Sequence, residues 1–220
     1  MAEINEIREL ARELNLMNVA NGTIDVTKEN ISNLKYLYNI LSEEIRIRHE
    51  HRNTRLKKSS KLPNKKFDHY KITKGLEWQL QKISQFDFSN NHQNIIIIGD
   101  CSTGKTSLAV EIGNYAISKV AKVTYTKFDD LIFAIKAKTK LYAQVESSDV
   151  VIIDELFYTP ITEEELLLIY KKFIFLSETR SLILITNRPL SKWSEMKVDQ
   201  HLLETLKQRL LREAQLISLK

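Results

Sequence analysis

In the segment NIIIIGDCSTGKT, residues 94–106, four isoleucines lead into a loop bounded by glycines. Its second part matches the pattern G-x-x-x-x-G-K-[ST], and an amphipathic helical pattern follows over 106–118. A strand, this loop and a helix in that order predict a phosphate-binding loop, because backbone N–H groups and a helix N-terminus together attract phosphate oxygens. The residues expected to bind a nucleotide are Gly99, Asp100, Cys101, Ser102, Thr103, Gly104, Lys105 and Thr106.

Two side chains of this loop have distinct expected roles. Lys105 is placed to reach the β- and γ-phosphates of ATP, and the Thr106 hydroxyl to coordinate Mg²⁺. The alternative is a glycine-rich turn with a surface lysine, which eight matching positions in a strand-to-helix context disfavour. Cys101, the single cysteine of the chain, is interpreted as a small loop residue, because no partner cysteine exists for a redox switch.

A pair of acids follows a second apolar run, in VVIIDE at residues 150–155. Ligands of open α/β sheets bind at the carboxyl ends of the strands, so we expect Asp154 to hold Mg²⁺ and Glu155 to orient and deprotonate the attacking water. Adjacent acids at the end of a strand also occur in ordinary solvated turns. The phosphate-binding loop about 50 residues upstream favours the catalytic interpretation.

Two further residues are weaker candidates for the catalytic site. Asn187 follows the apolar run 182–185, where its amide is placed to bond the γ-phosphate or the water; Asn before Arg-Pro is also typical of a turn. Arg209 lies in the helical pattern LLETLKQRLL, 202–211, and an arginine offered to a neighbouring subunit would stabilise the charge of phosphoryl transfer. From the residues alone, a solvated helix face is the simpler interpretation of Arg209.

Short apolar runs alternate with helical patterns through the second part of the chain. Strands are predicted at 94–98, 123–125, 150–153, 182–185 and, as an edge strand, 216–219; helices are predicted at 106–118, 128–138, 162–177 and 200–212. This alternation predicts an α/β fold with a parallel sheet between helices. We therefore expect two domains, a helical basic region over 1–66 and a nucleotide-binding domain over 67–220.

The first 66 residues are expected to be helical. A short amphipathic helix is predicted over 3–17, and Thr27 is a candidate cap of a second helix that stops before Pro63. That helix has apolar residues at spacings of three and four, which predict one buried stripe. The stripe is made of Ile31, Leu34, Tyr38, Leu41 and Ile45. Residues 62–70 are interpreted as a linker.

The positive charge of the chain is concentrated in one segment. The whole chain of 220 residues carries a formal net charge of +5, while residues 46–66 contain nine basic side chains and one acid. Such a segment favours a polyanionic partner, and double-stranded DNA contacted without base specificity is expected. The candidate DNA contacts, which a solubilising helix would also show, are Arg46, Arg48, Arg52, Arg55, Lys57 and Lys58.

Composition restricts the class of protein further. A content of 43% hydrophobic and 28% charged residues is typical of a globular domain with an extension and excludes a disordered or collagen-like chain. The single cysteine forbids an internal disulfide and suits a reducing compartment. No apolar run reaches the roughly 18 residues that cross a bilayer, and the first ten residues are too acidic for a signal peptide. We expect a cytoplasmic protein without membrane contact.

Four segments together resemble the IstB-like ATP-binding proteins of bacterial insertion sequences, which are related to the DnaC-type helicase loaders within the AAA+ ATPases. The segments are GDCSTGKTSLAVEIGNYAI, DVVIIDELFYTP, LILITNRPLSKW and LLETLKQRLL, in this order, and the basic stretch over 43–70 is also similar. The resemblance implies a P-loop NTPase with a five-stranded parallel sheet, ATP and Mg²⁺ as ligands, and assembly as a homo-oligomer on DNA with a transposase. It also implies that Asn187 is the sensor-1 residue and Arg209 the arginine finger.

Three features depart from the family pattern. Ser102 stands where the family usually has a second glycine, so a positive φ there would strain the loop by about 1 kcal/mol or more. The stretch 128–150 is shorter than usual, although Lys136, Lys138 and Lys140 keep a DNA contact possible. The sequence stops at Leu219-Lys220, before the place where relatives carry a second sensing arginine, so incomplete nucleotide sensing is expected.

The leading expectation is an ATPase that acts as the transposition helper of an insertion sequence. The alternative is a DnaC-like loader in DNA replication, in which the front helices dock on a replicative helicase. A small-molecule P-loop kinase is disfavoured, because Glu155 suits activation of water and no dedicated substrate lid is evident. Copurification with a transposase or with a hexameric helicase distinguishes the first two.

Overall fold

The structure is a computed structural model that describes residues 4–25, 33–68, 74–88, 90–212 and 214–219. The chain divides into two compact units, Met1–Arg55 and Leu56–Lys220, and the division falls within the long helix α3, Asn33–Ser59. Each unit is described by itself. The domain boundary expected between residues 66 and 67 stays a prediction.

The second unit contains one parallel β-sheet and the helices that connect its strands. The strands are β1 Asn94–Gly99, β2 Val123–Lys127, β3 Val150–Asp154, β4 Ser181–Thr186 and β5 Ala214–Leu219. The helices are α4 Lys74–Ile83, α5 Lys105–Ser118, α6 Phe128–Ala137, α7 Lys140–Glu146, α8 Glu163–Thr179 and α9 Gln200–Leu211, with a 3₁₀ helix at Leu190–Glu195. All five strands and four of these helices, α5, α6, α8 and α9, lie where the sequence predicts them.

The five strands are parallel and lie in the order β2-β3-β4-β1-β5. The predicted five-stranded parallel sheet between helices is therefore confirmed. Strands β3, β4 and β1 are neighbours at the centre, and each of them ends in one of the polar motifs found in the sequence. The sheet order thus gathers those motifs at one edge.

The apolar strands are buried on both faces, as their unbroken hydrophobicity requires. Ile95 and Ile97 of β1 pack with α5, while Ile96 of the same strand packs with α6, α8 and α9 on the other face. Helix α5, which follows the phosphate-binding loop, is held by this contact through the buried Leu108 and Ile112. The loop therefore sits on a rigid strand and a rigid helix.

Among the described residues of this unit, three short helical elements were not predicted. They are α4, α7 and the 3₁₀ helix, which have ten, seven and six residues. Segments of this length give too few turns for a clear 3.6-residue period, so their pattern does not separate them from loops. By contrast, the start of α8 carries a capping box between Thr162 and Glu165, which fixes that terminus locally.

The first unit contains α1, Ile4–Glu13, α2, Met17–Ala20, and most of α3. Helix α3 ends at Ser59, before Pro63, as predicted. The expected cap Thr27 and stripe residue Ile31 lie outside the described residues, as does the side chain of Leu34.

The predicted buried stripe on α3 is wrong for the residues that can be compared. Tyr38, Leu41 and Ile45 are exposed, at 70%, 40% and 56%. The buried face instead presents Glu44 and Ile47. Ile47 joins the small core with Ala11 and Val19, and Glu44 accepts a hydrogen bond from the backbone N–H of Asn18 at 3.1 Å. That amide lies in the first turn of α2, where the helix itself offers no acceptor, so the face of α3 that packs inward combines an apolar contact by Ile47 with an acceptor from Glu44.

None of the helices in the described part of the chain combines the length and the apolar character that crossing a bilayer requires.

Candidate functional site

A cleft of about 380 Å³ opens at the carboxyl ends of β1, β3 and β4. Its walls come from the loop after β1, the acid pair after β3 and the amide after β4, which lie far apart in the sequence. The lining residues are Lys65, Cys101, Ser102, Gly104, Lys105, Thr106, Ser107, Asp154, Glu155 and Asn187. Three of the predicted motifs therefore meet at one edge of the sheet, where ligands of such folds bind.

The loop after β1 takes two turns in the left-handed region. Gly104 has a φ of 96°, and Ser102 has a φ of 64° without the freedom of glycine. The condition for strain at Ser102 is therefore met, at a cost of about 1–2 kcal/mol. Gly99 is needed for a different reason, because a Cβ there would collide with the backbone oxygen of Leu219 on β5.

Lys105 begins α5 and is buried at 6% exposure, with its Nζ donating to the backbone oxygen of Asp100 at 2.5 Å. Burial lowers the pKa of this lysine, while the nearby Cys101, Asp154 and Asp100 act in the opposite direction. The preceding Gly104 has no side chain to cap the helix, so the first N–H groups of α5 remain available to an anion in the cleft.

Asp154 is buried and accepts three hydrogen bonds through its carboxylate. The hydroxyls of Thr106 and Tyr125 both donate to Oδ2, each at 2.8 Å, and the backbone N–H of Glu155 donates to Oδ1 at 2.8 Å. Burial, followed by the charge of Asp154, raises the pKa of Tyr125, so its hydroxyl stays protonated and acts as the donor. The structure therefore joins the predicted metal ligands Thr106 and Asp154 directly.

Glu155 has a φ of 59°, an uncommon conformation for a residue with a side chain, and its side chain is 43% exposed at the cleft. Its Oε1 lies 3.0 Å from Nζ of Lys127, at the end of β2. This contact raises the pKa of Lys127, chiefly through the hydrogen bond to Glu155. The next residue anchors the turn, because the Leu156 N–H donates to the Ile185 oxygen at 2.9 Å.

The other two catalytic candidates lie in different places. Asn187 lines the cleft beside Glu155, with its Nδ2 3.5 Å from Sγ of Cys101. Arg209 lies on α9, outside that lining, and its guanidinium is 3.6 Å from Glu178 of α8. The structure thus brings Asn187, but not Arg209, to the cleft of the same chain.

All six candidate DNA contacts lie on α3 and are exposed. Two of them already have acidic partners on the same helix. Arg46 pairs with Glu43 and Glu50, each at 2.5 Å, and Arg48 pairs with Glu44 at 2.7 Å. Glu43 chiefly raises the pKa of Arg46. Within the described residues no ion pair is formed by Arg52, Arg55, Lys57 or Lys58.

Sequence reasoning missed three residues at or beside the site. Lys65 lines the cleft, although the sequence indicated for it only a place in the basic segment over 46–66. Tyr125 and Lys127 contact the acid pair from β2, and the apolar pattern of that strand did not predict these contacts. Tyr125 and Lys127 are two residues apart, so their hydroxyl and ammonium groups lie on the same face of a strand. This pattern indicates a contact with the acid pair only once β2 is known to lie beside β3.

Comparisons with known proteins agree with this geometry. The family model for IstB-like ATP binding proteins matches residues 8–220. An ATP-binding protein of an IS21-like insertion sequence from Bacteroides fragilis is 27% identical over 97% of this chain and 87% of its own length. The corresponding protein of insertion sequence IS232 from Bacillus thuringiensis subsp. berliner is 28% identical, over 94% of this chain and 88% of its own length.

Solved structures share the fold at lower identity. The DnaC helicase loader matches with a TM-score of 0.55 and 22% identity, over 68% of this chain and 92% of the loader. AMPPCP-bound DnaA from Aquifex aeolicus matches with a TM-score of 0.53 and 19% identity, over 68% of this chain and 48% of DnaA.

Proposed function

This chain belongs to the family of IstB-like ATP-binding proteins, P-loop ATPases of the AAA+ type, and from that premise we propose that it is the transposition helper of an insertion sequence. In this role it binds and hydrolyses ATP with Mg²⁺ to control its assembly on DNA and its contact with a transposase. The observation that carries the proposal is the cleft that unites Lys105, Thr106, Asp154, Glu155 and Asn187. It would act in the cytoplasm, where ATP and DNA are both found.

The loop from Gly99 to Thr106 binds the triphosphate in this proposal. Its backbone N–H groups and the N-terminus of α5 attract phosphate oxygens, and the left-handed turns at Ser102 and Gly104 curve the loop around them. When ATP binds, Lys105 exchanges its hydrogen bond to the Asp100 oxygen for contacts to the β- and γ-phosphates. In a partly buried cleft an ammonium group interacts more strongly with a charged phosphate than with a neutral carbonyl.

The side chains at the centre of the cleft suit Mg²⁺. A hydroxyl and a carboxylate, on Thr106 and Asp154, are hard oxygen ligands that already lie within hydrogen-bond distance of each other. The described residues contain no cluster of three or more His, Cys, Asp or Glu side chains that would form a metal cage. One carboxylate, one hydroxyl and the phosphates of ATP are the usual environment of this ion. When bound, Mg²⁺ supplies neutralisation of the charge that develops on the phosphates.

Glu155 orients the attacking water and takes its proton, and Asn187 holds the γ-phosphate or that water from the end of β4. In the structure the Lys127 ammonium occupies Oε1 of Glu155 at 3.0 Å, so this oxygen turns away from Lys127 to meet the water. Arg209 lies away from its own cleft and acts on the ATP of a neighbouring subunit, which makes the active form a homo-oligomer.

DNA is bound through the basic half of α3, by Arg46, Arg48, Arg52, Arg55, Lys57 and Lys58. These six cationic side chains are exposed on one helix, which supports contacts to the phosphates of DNA. The four that form no ion pair within the described residues contribute most, because Arg46 and Arg48 must first give up an acidic partner.

A DnaC-like helicase loader is the second candidate, because the loader shares the fold. The transposition helper is favoured, since the two insertion-sequence relatives match nearly the whole chain at 27% and 28% identity, whereas the loader matches 68% of it at 22%. Affinity purification distinguishes them: recovery of a transposase supports the first role, and recovery of a hexameric helicase supports the second.

The catalytic proposal is tested by ATP turnover with and without duplex DNA. Lys105→Ala and Glu155→Gln are each expected to reduce turnover at least 100-fold, of the order seen when a group that binds the transition state is removed. Glu155→Gln should still bind ATP, because its cleft keeps the loop. Matched controls are Lys119→Ala, an exposed lysine at the end of α5, and Glu164→Gln, an exposed glutamate on α8. Normal turnover in both site variants would refute the proposed site.

The same assay tests the role of Arg209 in a neighbouring subunit. Arg209→Ala alone and Glu155→Gln alone are expected to be inactive. A mixture of the two should recover activity, because an interface can then combine an intact Glu155 with an intact Arg209 from the other variant. Arg212→Ala serves as the control for a nearby exposed arginine. A mixture as inactive as its components would contradict catalysis between subunits.

A further inference from the structure

Tyr125 makes a side-chain hydrogen bond to Asp154 from β2, the strand next to the acid pair. Its hydroxyl donates to Asp154 Oδ2 at 2.8 Å, the same oxygen that receives the Thr106 hydroxyl. Asp154 and Tyr125 are separated by 29 residues, so the contact exists only because β2 lies beside β3 in parallel register.

A carboxylate at the end of a strand turns easily, because the terminal torsion of aspartate has a broad energy minimum. In this site the backbone N–H of Glu155 holds Oδ1, and the two hydroxyls hold Oδ2. The Thr106 oxygen is itself a proposed metal ligand, so its position follows the metal. Tyr125 is the hydroxyl donor to Asp154 that has no ligand role of its own.

Tyr125 is itself fixed from two sides. Its strand pairs with β3, where Tyr125 lies opposite Ile152. Its backbone N–H donates to the oxygen of Ser60, at 2.8 Å, and Ser60 is fully buried. The ring also packs against the core cluster that includes Ile95 and Ile152. The hydroxyl therefore meets Asp154 from a rigid base, which is what orientation of a metal ligand requires.

We propose that Tyr125 is a positioning residue, which orients the Asp154 carboxylate for the Mg²⁺ of bound ATP. The proposal rests on the proposed function, in which Thr106 and Asp154 hold that ion. Hydrogen-bond partners of metal ligands tune affinity for the metal, and their removal typically costs about 10- to 100-fold. Loss of the hydroxyl should therefore weaken the metal and leave the binding of phosphates by the loop intact.

The test compares Tyr125→Phe with Tyr115→Phe. Tyr115 is a matched control: it is also half-buried and packs on the same core, but its hydroxyl donates to the backbone oxygen of Ser84, away from the cleft. Mn²⁺ binding is measured by electron paramagnetic resonance in the presence of a non-hydrolysable ATP analogue. Affinity for the analogue in EDTA and the melting temperature report on the loop and on folding.

Tyr125→Phe is expected to weaken Mn²⁺ about tenfold and to raise the Mg²⁺ concentration for half-maximal turnover by a similar factor. Its kcat at saturating Mg²⁺ and its affinity for the analogue in EDTA should stay within twofold of the unmodified protein. Tyr115→Phe should change none of these values.

Equal Mn²⁺ affinity in Tyr125→Phe and the unmodified protein would overturn the role of Tyr125 alone. An equal loss in both tyrosine variants would also overturn it, because the effect would then follow from packing. If the unmodified protein binds no Mn²⁺ with the analogue and Lys105→Ala changes nothing, the proposed function fails and the inference fails with it.

Discussion

Ser102 shows how one residue bears the cost of the phosphate-binding loop. Its φ of 64° lies in the left-handed region, where glycine is at ease and serine is strained. The neighbouring Gly104, with a φ of 96°, takes the second left-handed turn without this cost. Strain that persists at a ligand-binding loop is maintained by the strand and helix on either side of it.

Ser102→Gly is expected to raise the free energy of unfolding by up to about 1.5 kcal/mol, because relief of about 1–2 kcal/mol of strain outweighs the extra entropy of glycine in the unfolded chain, which costs about 0.5–1 kcal/mol. Ser107→Gly, within α5, is the control and should lower it by about 0.5 kcal/mol. Urea unfolding without nucleotide measures both. If Ser102→Gly lowers the free energy of unfolding, as Ser107→Gly is expected to do, the loop strain is negligible.

At the scale of an element, the start of α8 combines a cap with a charge. Thr162 accepts from the Glu165 N–H at 3.2 Å, and the Glu165 carboxylate accepts from the Thr162 N–H at 2.9 Å. The same carboxylate pairs with Lys136 of α6 at 2.7 Å. The Lys136 hydrogen bond, followed by that of Thr162, lowers the pKa of Glu165 below its ordinary value of 4.5.

A lowered carboxyl pKa stabilises the fold above pH 4.5, and the stabilisation is lost as the pH falls through the folded-state value. Glu165→Gln keeps a capping side chain but removes the charge, so we expect it to lower the free energy of unfolding at pH 7 by about 0.5–1 kcal/mol. The difference from the unmodified protein should shrink as the pH falls below 4.5 and vanish once the Glu165 carboxyl is protonated in the folded state, because both side chains are then neutral.

Urea unfolding at a series of pH values measures this effect. Glu164→Gln is the control, because Glu164 lies in the same first turn and is exposed. It should show less than about 0.5 kcal/mol at any pH. A Glu165→Gln difference that is constant from pH 7 to pH 3 would mean that the hydrogen bonds, and not the charge, provide the stabilisation.

At the scale of the whole molecule, charge and chemistry lie in different segments of the chain. The catalytic candidates are in the sheet-containing unit, while most of the basic candidates are on the part of α3 that precedes Leu56. Binding to phosphates releases counterions, so the logarithm of the affinity should fall linearly with the logarithm of the salt concentration.

Replacing Arg52, Arg55, Lys57 and Lys58 together by alanine is expected to weaken binding to any duplex and to reduce the salt slope by about 3 to 4, at about 0.9 for each DNA phosphate that is no longer neutralised. Arg46→Gln is the control and should change the slope by less than about 0.5, well below the value of about 0.9 for one full phosphate contact, because Arg46 already has two acidic partners. Fluorescence anisotropy with duplexes of unrelated sequence measures both. An unchanged slope in the fourfold variant would remove α3 from the DNA interface.

Sequence patterns alone were enough to predict the loop, the acid pair, the amide after β4 and the parallel α/β class of the fold. These follow from short contiguous patterns, because the backbone path of a strand, a glycine-rich turn and a helix start is set largely by the residues within it. The central strands could be predicted from their unbroken apolar runs alone. Short elements such as α7 have too few residues to show a clear helical period in the sequence.

Which side chains meet depends on how the strands and helices pack in three dimensions. Tyr125 and Lys127 reach Asp154 and Glu155 because β2 lies next to β3, and no local pattern in β2 encodes its neighbour. Helix α3 shows the same limit. Its apolar spacing predicted that Tyr38 lies on the buried face, but Tyr38 is exposed and Ile47 is the residue that packs in the small core of the first unit. The periodicity of a helix predicts that it has an apolar face. The packing of residues that are distant in the sequence determines which face is buried and which polar groups come together.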